Sequence, residues 1–418
     1  MRFTSTPRHR RTFSVITAIV AVGALTACAG ASGDADEGGS SEAWLDELEP
    51  RVLKLADFSG DQTANFGAAM VEWEEAITEF TDGKITFENY WSSSLLTAPD
   101  TLPGVRDGIA DIGLIIATTY PQELPVGTWL SGLGGALSGS TVHDVAAGGA
   151  ASLENSWTFD ALTEEYAANN LKILQSTSTP AYNLLCTKPI DSLDDAEGTL
   201  TRSSGEVWTG TAEALGMTSV SMPFNEAYEG LQRGVIDCMI INPNQYVSGL
   251  ILKDVAPEYV PVTFAQLQAS TWVMNLDVWE SFPRELQDFM TEESARTAYK
   301  IWEGYLDIEA DAGEVIAAGE EVRTHDVSEL EAVAAEQRAG AVAAMAESAP
   351  ASVSDPQAVI DEYQERVQYW TDALVEEGYA VTSRDPEAIL QAFAGLRDVD
   401  LSGFYEKFET EFVQSQLK

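Results

Sequence analysis

Arg202 is the residue whose type and position most clearly offer binding chemistry. It ends the short strand-like segment Leu200-Thr201-Arg202, and Ser203-Ser204-Gly205 and a predicted helix follow. Ligand sites in α/β sheets lie where a strand end leads into a helix. A guanidinium group is planar and can hold a carboxylate through two parallel hydrogen bonds. The position indicates a carboxylate-binding arginine; the alternative is an exposed arginine paired with a neighbouring acid.

The sequence lacks the motifs that indicate an enzyme or a metal site. After residue 27 the chain has two histidines, His143 and His325, and neither lies in a metal-ligand spacing. There is no nucleophile elbow, phosphate-binding loop or dinucleotide-binding glycine motif. The acid pairs Asp194-Asp195 and Glu292-Glu293 are typical of solvated faces in a chain this acidic. We therefore expect no catalytic residue, no metal and no cofactor.

The N-terminus has the pattern of a bacterial lipoprotein export signal. A basic stretch at residues 8–11 precedes an apolar run from Val15 to Ala24, and Leu25-Thr26-Ala27-Cys28 follows. Cleavage before Cys28 would leave a thiol that can be lipidated. The alternative, a short membrane helix with an incidental cysteine, is disfavoured because the run is too short to span a bilayer comfortably. Residues 28–51 then form a predicted flexible tether.

The remaining cysteines, Cys186 and Cys238, allow two interpretations. An exported protein can oxidise its cysteines, so the two can form a disulfide. Two buried free thiols are the simple alternative, and the sequence leaves both open.

The charge of the chain limits its partners. The net charge is −44 at pH 7, and removal of residues 1–27, which hold four arginines and no acid, makes it −48. Binding to nucleic acid depends on neutralising phosphates, so nucleic acid is disfavoured as a partner. Direct adsorption to an anionic membrane surface is disfavoured for the same reason. A body this acidic needs a local cation such as Arg202 to bind an anion.

Hydrophobic patterning predicts two α/β lobes followed by helices. The first third, from Val52 to Ile116, alternates strand and helix as β-α-β-α-β. The middle third also alternates strands and helices, which predicts sheets covered by helices. From Pro283 the chain becomes strongly helical. The predicted strands of the middle third are 182–187, 200–202 and 235–241, and the predicted late helical segments are 327–347, 355–378 and 386–414.

Two segments of the middle third carry a family pattern. The first runs from Tyr182 to Asp195 and on to Gly198–Arg202. The second, Met222–Asp237, follows the pattern M-P-x-x-E-x-Y-x-A-L-Q-x-G-V-V-D-G, and Asn242-Pro243 comes after it. These segments resemble TRAP transporter solute-binding proteins of the DctP type. Weaker matches, within a likeness that covers roughly residues 52–300, are Ser94–Leu96, Gly104–Gly113, Val273–Asn275 and Trp279.

The resemblance implies a two-lobe, periplasmic-binding-protein-like clamp with a helical C-terminal region. Carried over by position, Arg202 binds a ligand carboxylate and Asn242 hydrogen-bonds the same or an adjacent polar group. Phe224 packs on the carbon skeleton of the ligand. The lobes would close over the ligand by a hinge motion.

Spacing alone adds three further candidate binding residues. Trp91 and Thr118 lie at predicted strand ends of the first lobe and would form the opposing wall. Trp208 lies one helical turn into the helix after Arg202. The aromatic side chains favour a hydrophobic or aromatic acid over a sugar acid, although aromatic residues are equally ordinary in a core.

Three departures from the family pattern concern the ligand and the partners. Cys238 replaces the usual glycine, and Ser203-Ser204 replace more apolar residues after the arginine. Both could alter the choice of ligand. The helical tail beyond about residue 310 is longer than the family implies and could serve a partner or an oligomer contact.

The predicted organisation follows from the patterns and the resemblance together. The segments are a signal peptide (1–27), a lipid-anchored tether (28–51), lobe I (52–175), lobe II (176–255), a crossover strand and long helix (256–310) and a helical region (311–418).

The resemblance implies an extracytoplasmic lipoprotein, anchored to the cell membrane at Cys28, that captures a small organic acid. It would deliver the acid to the small and large membrane subunits of an ion-gradient-driven transporter, and we expect a monomer. A ligand-sensing lipoprotein that signals to a membrane receptor is an alternative. An extracellular hydrolase is a third, which the scarcity of histidine disfavours.

Overall fold

The apolar residues of 51–116 form the first three strands of the first of two β-sheets. The computed structural model describes residues 43–203, 205–382 and 386–417. The predicted signal peptide and Cys28 lie outside the described residues. The strands are β1 (Arg51–Ala56), β2 (Ile85–Tyr90), β3 (Ile112–Ile116), β4 (Leu171–Ser178), β5 (Tyr182–Cys186), β6 (Leu200–Ser203), β7 (Thr218–Ser221), β8 (Cys238–Ile241), β9 (Glu258–Phe264), β10 (Gln268–Asn275) and β11 (Arg323–Thr324).

The strands form two mixed sheets. Sheet 1 has the order β2-β1-β3-β10-β4, and only β10 runs antiparallel to its neighbours. Sheet 2 has the order β11-β9-β5-β8-β6-β7, in which β5 is antiparallel to both β8 and β9. Two sheets with helices packed against them confirm the predicted α/β class.

Helices connect and cover the sheets, and they make up the C-terminal part of the chain. The helices are α1 (Ala43–Glu47), α2 (Asn65–Phe80), α3 (Ala98–Arg106), α4 (Pro125–Leu130), α5 (Gly148–Thr158), α6 (Asp160–Ala168), α7 (Leu193–Ala196), α8 (Glu206–Ala214), α9 (Ala227–Gln232), α10 (Leu276–Glu280), α11 (Arg284–Ala318), α12 (Ser328–Ala344), α13 (Pro356–Glu376), α14 (Pro386–Gly395), α15 (Ser402–Phe408) and α16 (Gln414–Gln416). Among the described residues, no helix combines the length and the apolar character needed to cross a bilayer.

The long helix α11 joins the two sheets. It has 35 residues, so it is about 52 Å long. On the sheet 1 side, the Trp73 indole of α2 donates to Met290 O (3.4 Å) and Asn65 donates to Ile301 O (3.0 Å). Near the junction of the sheets, the Trp302 indole donates to Thr177 Oγ1 of β4 at 3.2 Å. Further along the helix, Glu309 interacts with Asn244, in the turn that follows β8 of sheet 2, so α11 contacts both halves of the chain.

The structure differs from the predicted segments at three places. Residues 43–51 depart from the predicted tether, because Trp44 of α1 stacks on Phe80 with ring centroids 5.3 Å apart. Sheet 1 continues to Ser178, three residues beyond the predicted end of lobe I at residue 175. The predicted helical segment 386–414 is broken after α14, where the Tyr379 hydroxyl donates to Asp400 O at 3.0 Å and accepts from Asp400 N at 2.9 Å.

Candidate functional site

The two sheets meet where the chain crosses between them twice. Residues 179–181 lead from β4 to β5, and residues 265–267 lead from β9 to β10. These crossovers are bonded to each other, since Thr179 N donates to Leu267 O (3.2 Å) and Leu267 N donates to Thr179 Oγ1 (3.0 Å). The carboxyl ends of the parallel strands in each sheet lie at this junction, where α/β proteins place ligand sites.

Strand pairing brings four chain segments of sheet 2 to one edge. Asn183 of β5 pairs with Ile241 of β8, so the start of β5 lies beside the end of β8. Tyr182 pairs with Phe264, so the end of β9 lies there too. The end of β6, which carries Arg202, lies on the other side of β8.

Arg202 is a buried cation without an acidic partner in the described part of the chain. Its residue is 6% exposed, and Nε donates to Met222 O at 3.1 Å. Neither Nη group donates to a described residue. Burial lowers the pKa of the Arg202 guanidinium, and nearby Tyr182 partly opposes this shift. An arginine stays charged in proteins, so the site holds a buried positive charge with free donors.

Tyr182 and Trp208 form an aromatic wall beside this cation. Their ring centroids are 4.6 Å apart at an interplanar angle of 43°, and both side chains are buried. The Trp208 indole N–H donates to Ala265 O of the second crossover at 2.7 Å, so it is already occupied. Burial raises the pKa of Tyr182 to about 12, and bonding to Thr179 and the charge of Arg202 oppose the rise. The wall thus presents two buried aromatic rings, tilted against each other, beside the guanidinium.

Asn242 is fixed against the first crossover. Its Nδ2 donates to Pro180 O at 2.8 Å and to Ala181 O at 3.2 Å. The residue follows β8 directly and is 6% exposed. We call Arg202, Asn242, Tyr182 and Trp208 the Arg202 cluster. The arrangement offers an anion a cation with free N–H groups, an aromatic surface and an amide oxygen.

The other three predicted site residues lie apart from these contacts. Phe224 lies two residues after Met222, in the 3₁₀ turn Phe224–Glu226, and is 41% exposed. Trp91 follows β2 and Thr118 follows β3, so both lie at the sheet 1 edge that faces the junction. Both are half-buried. No hydrogen bond or ring contact joins either of them to the Arg202 cluster in the described residues.

The sequence analysis missed two polar residues at the junction. Tyr182 opens an otherwise mainly apolar strand, and a polar aromatic residue at that position is a usable signal. Asp57 follows β1, is 1% exposed, and its Oδ1 accepts from Ser59 N at 2.6 Å and Ser59 Oγ at 2.7 Å. Burial raises the pKa of Asp57, and the bonds from Ser59 oppose the rise.

The structure bonds Cys186 to Cys238 at the end of β8 that is opposite to Asn242. The two residues form a cross-strand pair of β5 and β8. Cys238 starts β8, and Asn242 follows the end of the strand, about 13 Å further along at the usual rise per residue. The expectation that Cys238 alters the choice of ligand stays a prediction, since Cys238 pairs with Thr201, the residue before Arg202. Ser204, which with Ser203 replaces the apolar residues that usually follow the arginine, lies outside the described residues.

The described residues were searched for a cluster of metal-binding side chains. No group of three or more His, Cys, Asp or Glu side chains among them could hold a metal ion. His143 is buried against Ser140, with 3.2 Å between Nδ1 and Oγ, and burial lowers its pKa. His325 lies between Asp191 and Glu258, at 2.8 Å from a carboxylate oxygen of each. Both histidines thus bond to neighbouring side chains of the fold.

Solved structures share this fold at low sequence identity. A TRAP periplasmic solute-binding protein from Desulfovibrio salexigens is 24% identical, with 76% of this chain and 96% of that chain covered and a TM-score of 0.62. DctP7 from Bordetella pertussis, an extracytoplasmic solute receptor binding pyroglutamic acid, is 17% identical, with 75% and 99% covered and a TM-score of 0.64. The periplasmic ectoine-binding protein of a Halomonas elongata TRAP transporter is 16% identical, with 76% and 100% covered and a TM-score of 0.63.

The sequence itself matches a family profile. Residues 140–348 match the DctP family, described as bacterial extracellular solute-binding protein, family 7. This region contains β4 to β11, the Arg202 cluster and all of α11. Members of the family are extracytoplasmic solute receptors rather than enzymes. The chain therefore belongs to bacterial extracellular solute-binding protein family 7, the DctP-type solute-binding proteins of TRAP transporters.

Proposed function

We propose that this protein captures a small organic acid through an ion pair between the ligand carboxylate and Arg202. The observation that carries the proposal is the buried guanidinium, which has no described acidic partner and keeps both Nη groups uncommitted. Burying a charge without a partner is costly, and a carboxylate would supply the partner. Removal of water on closure would strengthen the pair.

The ligands of receptors with the same fold support the proposal that this protein binds an organic acid. The fold is shared with receptors whose structures hold pyroglutamic acid, orotic acid and D-glucuronate. Each of these ligands carries a carboxylate. In this chain, the Tyr182–Trp208 wall favours a planar or apolar carbon skeleton next to that carboxylate. Trp91, Thr118 and Phe224 are our candidates for the remaining lining of the closed site.

Membrane anchoring and delivery complete the proposal. The Leu25-Thr26-Ala27-Cys28 motif supports export and lipid attachment at Cys28. Family membership supports transfer of the ligand to the small and large membrane subunits of a TRAP transporter. The strongly acidic body agrees with attachment through a lipid rather than through direct adsorption to anionic lipids.

A thermal-shift screen of the tag-free mature domain against organic acids tests the proposal. A ligand that binds only the folded state raises the melting temperature. We expect a clear shift with one class of carboxylates. Arg202→Ala should weaken binding by about 3–5 kcal/mol, or roughly 10²–10⁴-fold in Kd, because the ligand carboxylate stays buried and unpaired.

The matched control is Arg233→Ala. Arg233 pairs with Glu229 on the surface, and its side chain is 71% exposed, so this variant should bind like the wild type. Mass spectrometry of the supernatant after denaturation detects a ligand trapped during expression. Equal affinity of the Arg202→Ala variant and the wild type would refute the proposal, as would a ligand-free protein that binds no acid.

A further inference from the structure

We infer that α14 and Thr382 form a wedge behind the hinge, which limits how far the two halves of the chain open and thereby strengthens ligand binding. We call Thr382 and the α14 residues Ile389, Ala392 and Phe393 the hinge wedge. The hinge wedge lies beyond residue 348, where the family match ends. The inference rests on the proposed function, because it concerns the closure of the clamp over the acid.

The hinge wedge lies directly against the first crossover between the sheets. Its four residues line a cavity of about 20 Å³ together with Pro180 and Ala181 of that crossover. A cavity of this size has room for about one water molecule, so α14 and the crossover lie close together. Ile389 and Phe393 are buried.

The hinge wedge contacts both halves of the chain. On the sheet 1 side, Thr382 N donates to Ser140 Oγ at 3.2 Å, and Ser140 Oγ donates to Thr382 Oγ1 at 3.3 Å. Ser140 precedes α5, which packs against β4 of sheet 1. On the sheet 2 side, the centroid of the Phe393 ring lies 6.3 Å from that of Tyr259 in β9. The hinge wedge therefore lies between the two halves.

The long helix α11 holds the hinge wedge in place. A Cβ atom at Gly313 of α11 would overlap with the Cβ atom of Phe393, so only glycine allows α14 to approach this closely. Arg397, which follows α14, donates from Nε to Glu314 of α11 at 2.9 Å and pairs with Asp311 of the same helix. The position of α14 is thus fixed relative to the helix that contacts both halves.

The hinge wedge lies on the face of sheet 2 opposite to the aromatic wall of the Arg202 cluster. Tyr182 contacts Trp208, and the next residue, Asn183, points to the other face because side chains alternate along a strand. Asn183 lines the cavity beside the hinge wedge, and its Oδ1 accepts from the Tyr259 hydroxyl at 3.0 Å. When a hinge opens on the ligand side, the halves approach each other on the opposite side. Packed side chains resist compression, so the hinge wedge obstructs opening.

Pulsed electron paramagnetic resonance on the ligand-free mature domain, with Cys28 replaced by serine, tests this inference. Glu75→Cys in α2 and Glu213→Cys in α8 place one spin label on each half, at exposed positions. Phe393→Ala should broaden the distribution of distances between the labels about twofold, because the halves then open further. Phe393→Leu keeps most of the side-chain volume and should restore the wild-type distribution.

The second readout is the binding of an acid found in the screen. Because the hinge wedge does not belong to the ligand-binding cluster, Phe393→Ala should raise Kd about fivefold, mainly through faster dissociation in stopped-flow measurements. Gly313→Ala adds a methyl group against Phe393 and displaces α14, so it should change the distances and Kd in the same direction. This variant decides the question if Phe393→Ala does not fold.

Phe412→Ala is the matched control for the loss of a buried phenylalanine from the C-terminal region. Phe412 is 8% exposed, and its ring lies 5.8 Å from that of Trp157 in α5. This variant should lose stability but keep the wild-type distances and Kd. Wild-type distances in the folded Phe393→Ala and Gly313→Ala variants, or equal broadening in Phe412→Ala, would overturn the inference and leave the proposed function standing. If the wild type binds no organic acid, the proposed function fails, whereas the distances measured without a ligand still decide whether the hinge wedge limits opening.

Discussion

Burial determines the chemistry of individual residues in this protein. Arg202 is buried and charged. Its guanidinium bonds to the Met222 carbonyl, and no acidic side chain among the described residues pairs with it. Glu309 of α11 is 1% exposed and responds in the opposite way. Burial raises the pKa of Glu309 to about 8, although the amide groups of Asn244 oppose the rise. At neutral pH the buried Arg202 thus keeps its charge, whereas the buried Glu309 is mostly protonated.

Glu309 should make the stability of the protein depend on pH. In the unfolded chain its carboxyl group titrates near 4.5, so both states are protonated below this pH and Glu309 contributes no pH dependence. Between pH 4.5 and about 8, folding takes up a proton, and the free energy of unfolding falls by about 1.4 kcal/mol per pH unit from this group. Glu309→Gln should remove this slope.

Urea unfolding at pH 5, 6.5 and 8 measures the effect. The free energy of unfolding of the Glu309→Gln variant should increase relative to the wild type as the pH rises. Glu285→Gln, on the exposed first turn of the same helix, should follow the wild type. A constant difference between Glu309→Gln and the wild type across this range would show that Glu309 is ionised in the folded protein.

At the scale of elements, local patterns predict those strands and helices whose burial is periodic. The alternation along β2 and the apolar runs of β3 and β5 locate these strands to within two residues. β9 was not predicted, because Pro261 and Glu258 contradict a strand pattern. In the structure β9 pairs with β5, and Arg323 and His325 pair with the buried Glu258 carboxylate. β8 begins three residues later than predicted because Val235 N donates to Gly230 O in the turn after α9.

The candidate site was predictable only in part. Arg202 stands out in the sequence because basic residues are scarce and because it ends a strand. The direction of the Asn242 amide depends on the crossover carbonyls of Pro180 and Ala181, which are 62 and 61 residues away along the chain. Tyr182 has a residue type that is equally common in a core. Long-range contacts of this kind have no local signal in one sequence.

The disulfide should stabilise sheet 2 without affecting binding. It joins β5 to β8 across 52 residues of sequence, and linking such a loop restricts the unfolded chain. Replacing both Cys186 and Cys238 by alanine should lower the free energy of unfolding by about 2–4 kcal/mol. Cys238 pairs with Thr201 rather than with Arg202, whose side chain points to the opposite face of sheet 2, so the Kd for an acid should change less than twofold.

Chemical unfolding and calorimetric titration of the double variant measure these two effects. Wild-type protein incubated with a reductant under native conditions is the control, because it shows whether a reductant can reach the disulfide in the folded protein. An unchanged unfolding midpoint would contradict the stabilising role. A large loss of affinity in a variant that is still folded would contradict the separation of the disulfide from the site.

At the scale of the whole molecule, two sheets are joined by two bonded crossovers and braced by one long helix. This arrangement places the carboxyl edges of the parallel strands at a common junction, where opposing side chains can enclose a small ligand. The net charge of −44 repels organic anions, so capture has to depend on a local cation. Arg202 is the buried cation without an acidic partner that the described part of the chain places there.

The most direct test of this account is the crystal structure of the protein with an acid identified by the screen. The account predicts the carboxylate oxygens at about 2.7–2.9 Å from the Nη atoms of Arg202, with the acid beside the Tyr182–Trp208 wall. An acid that is bound elsewhere, or whose carboxylate makes no contact with Arg202, would contradict the central claim.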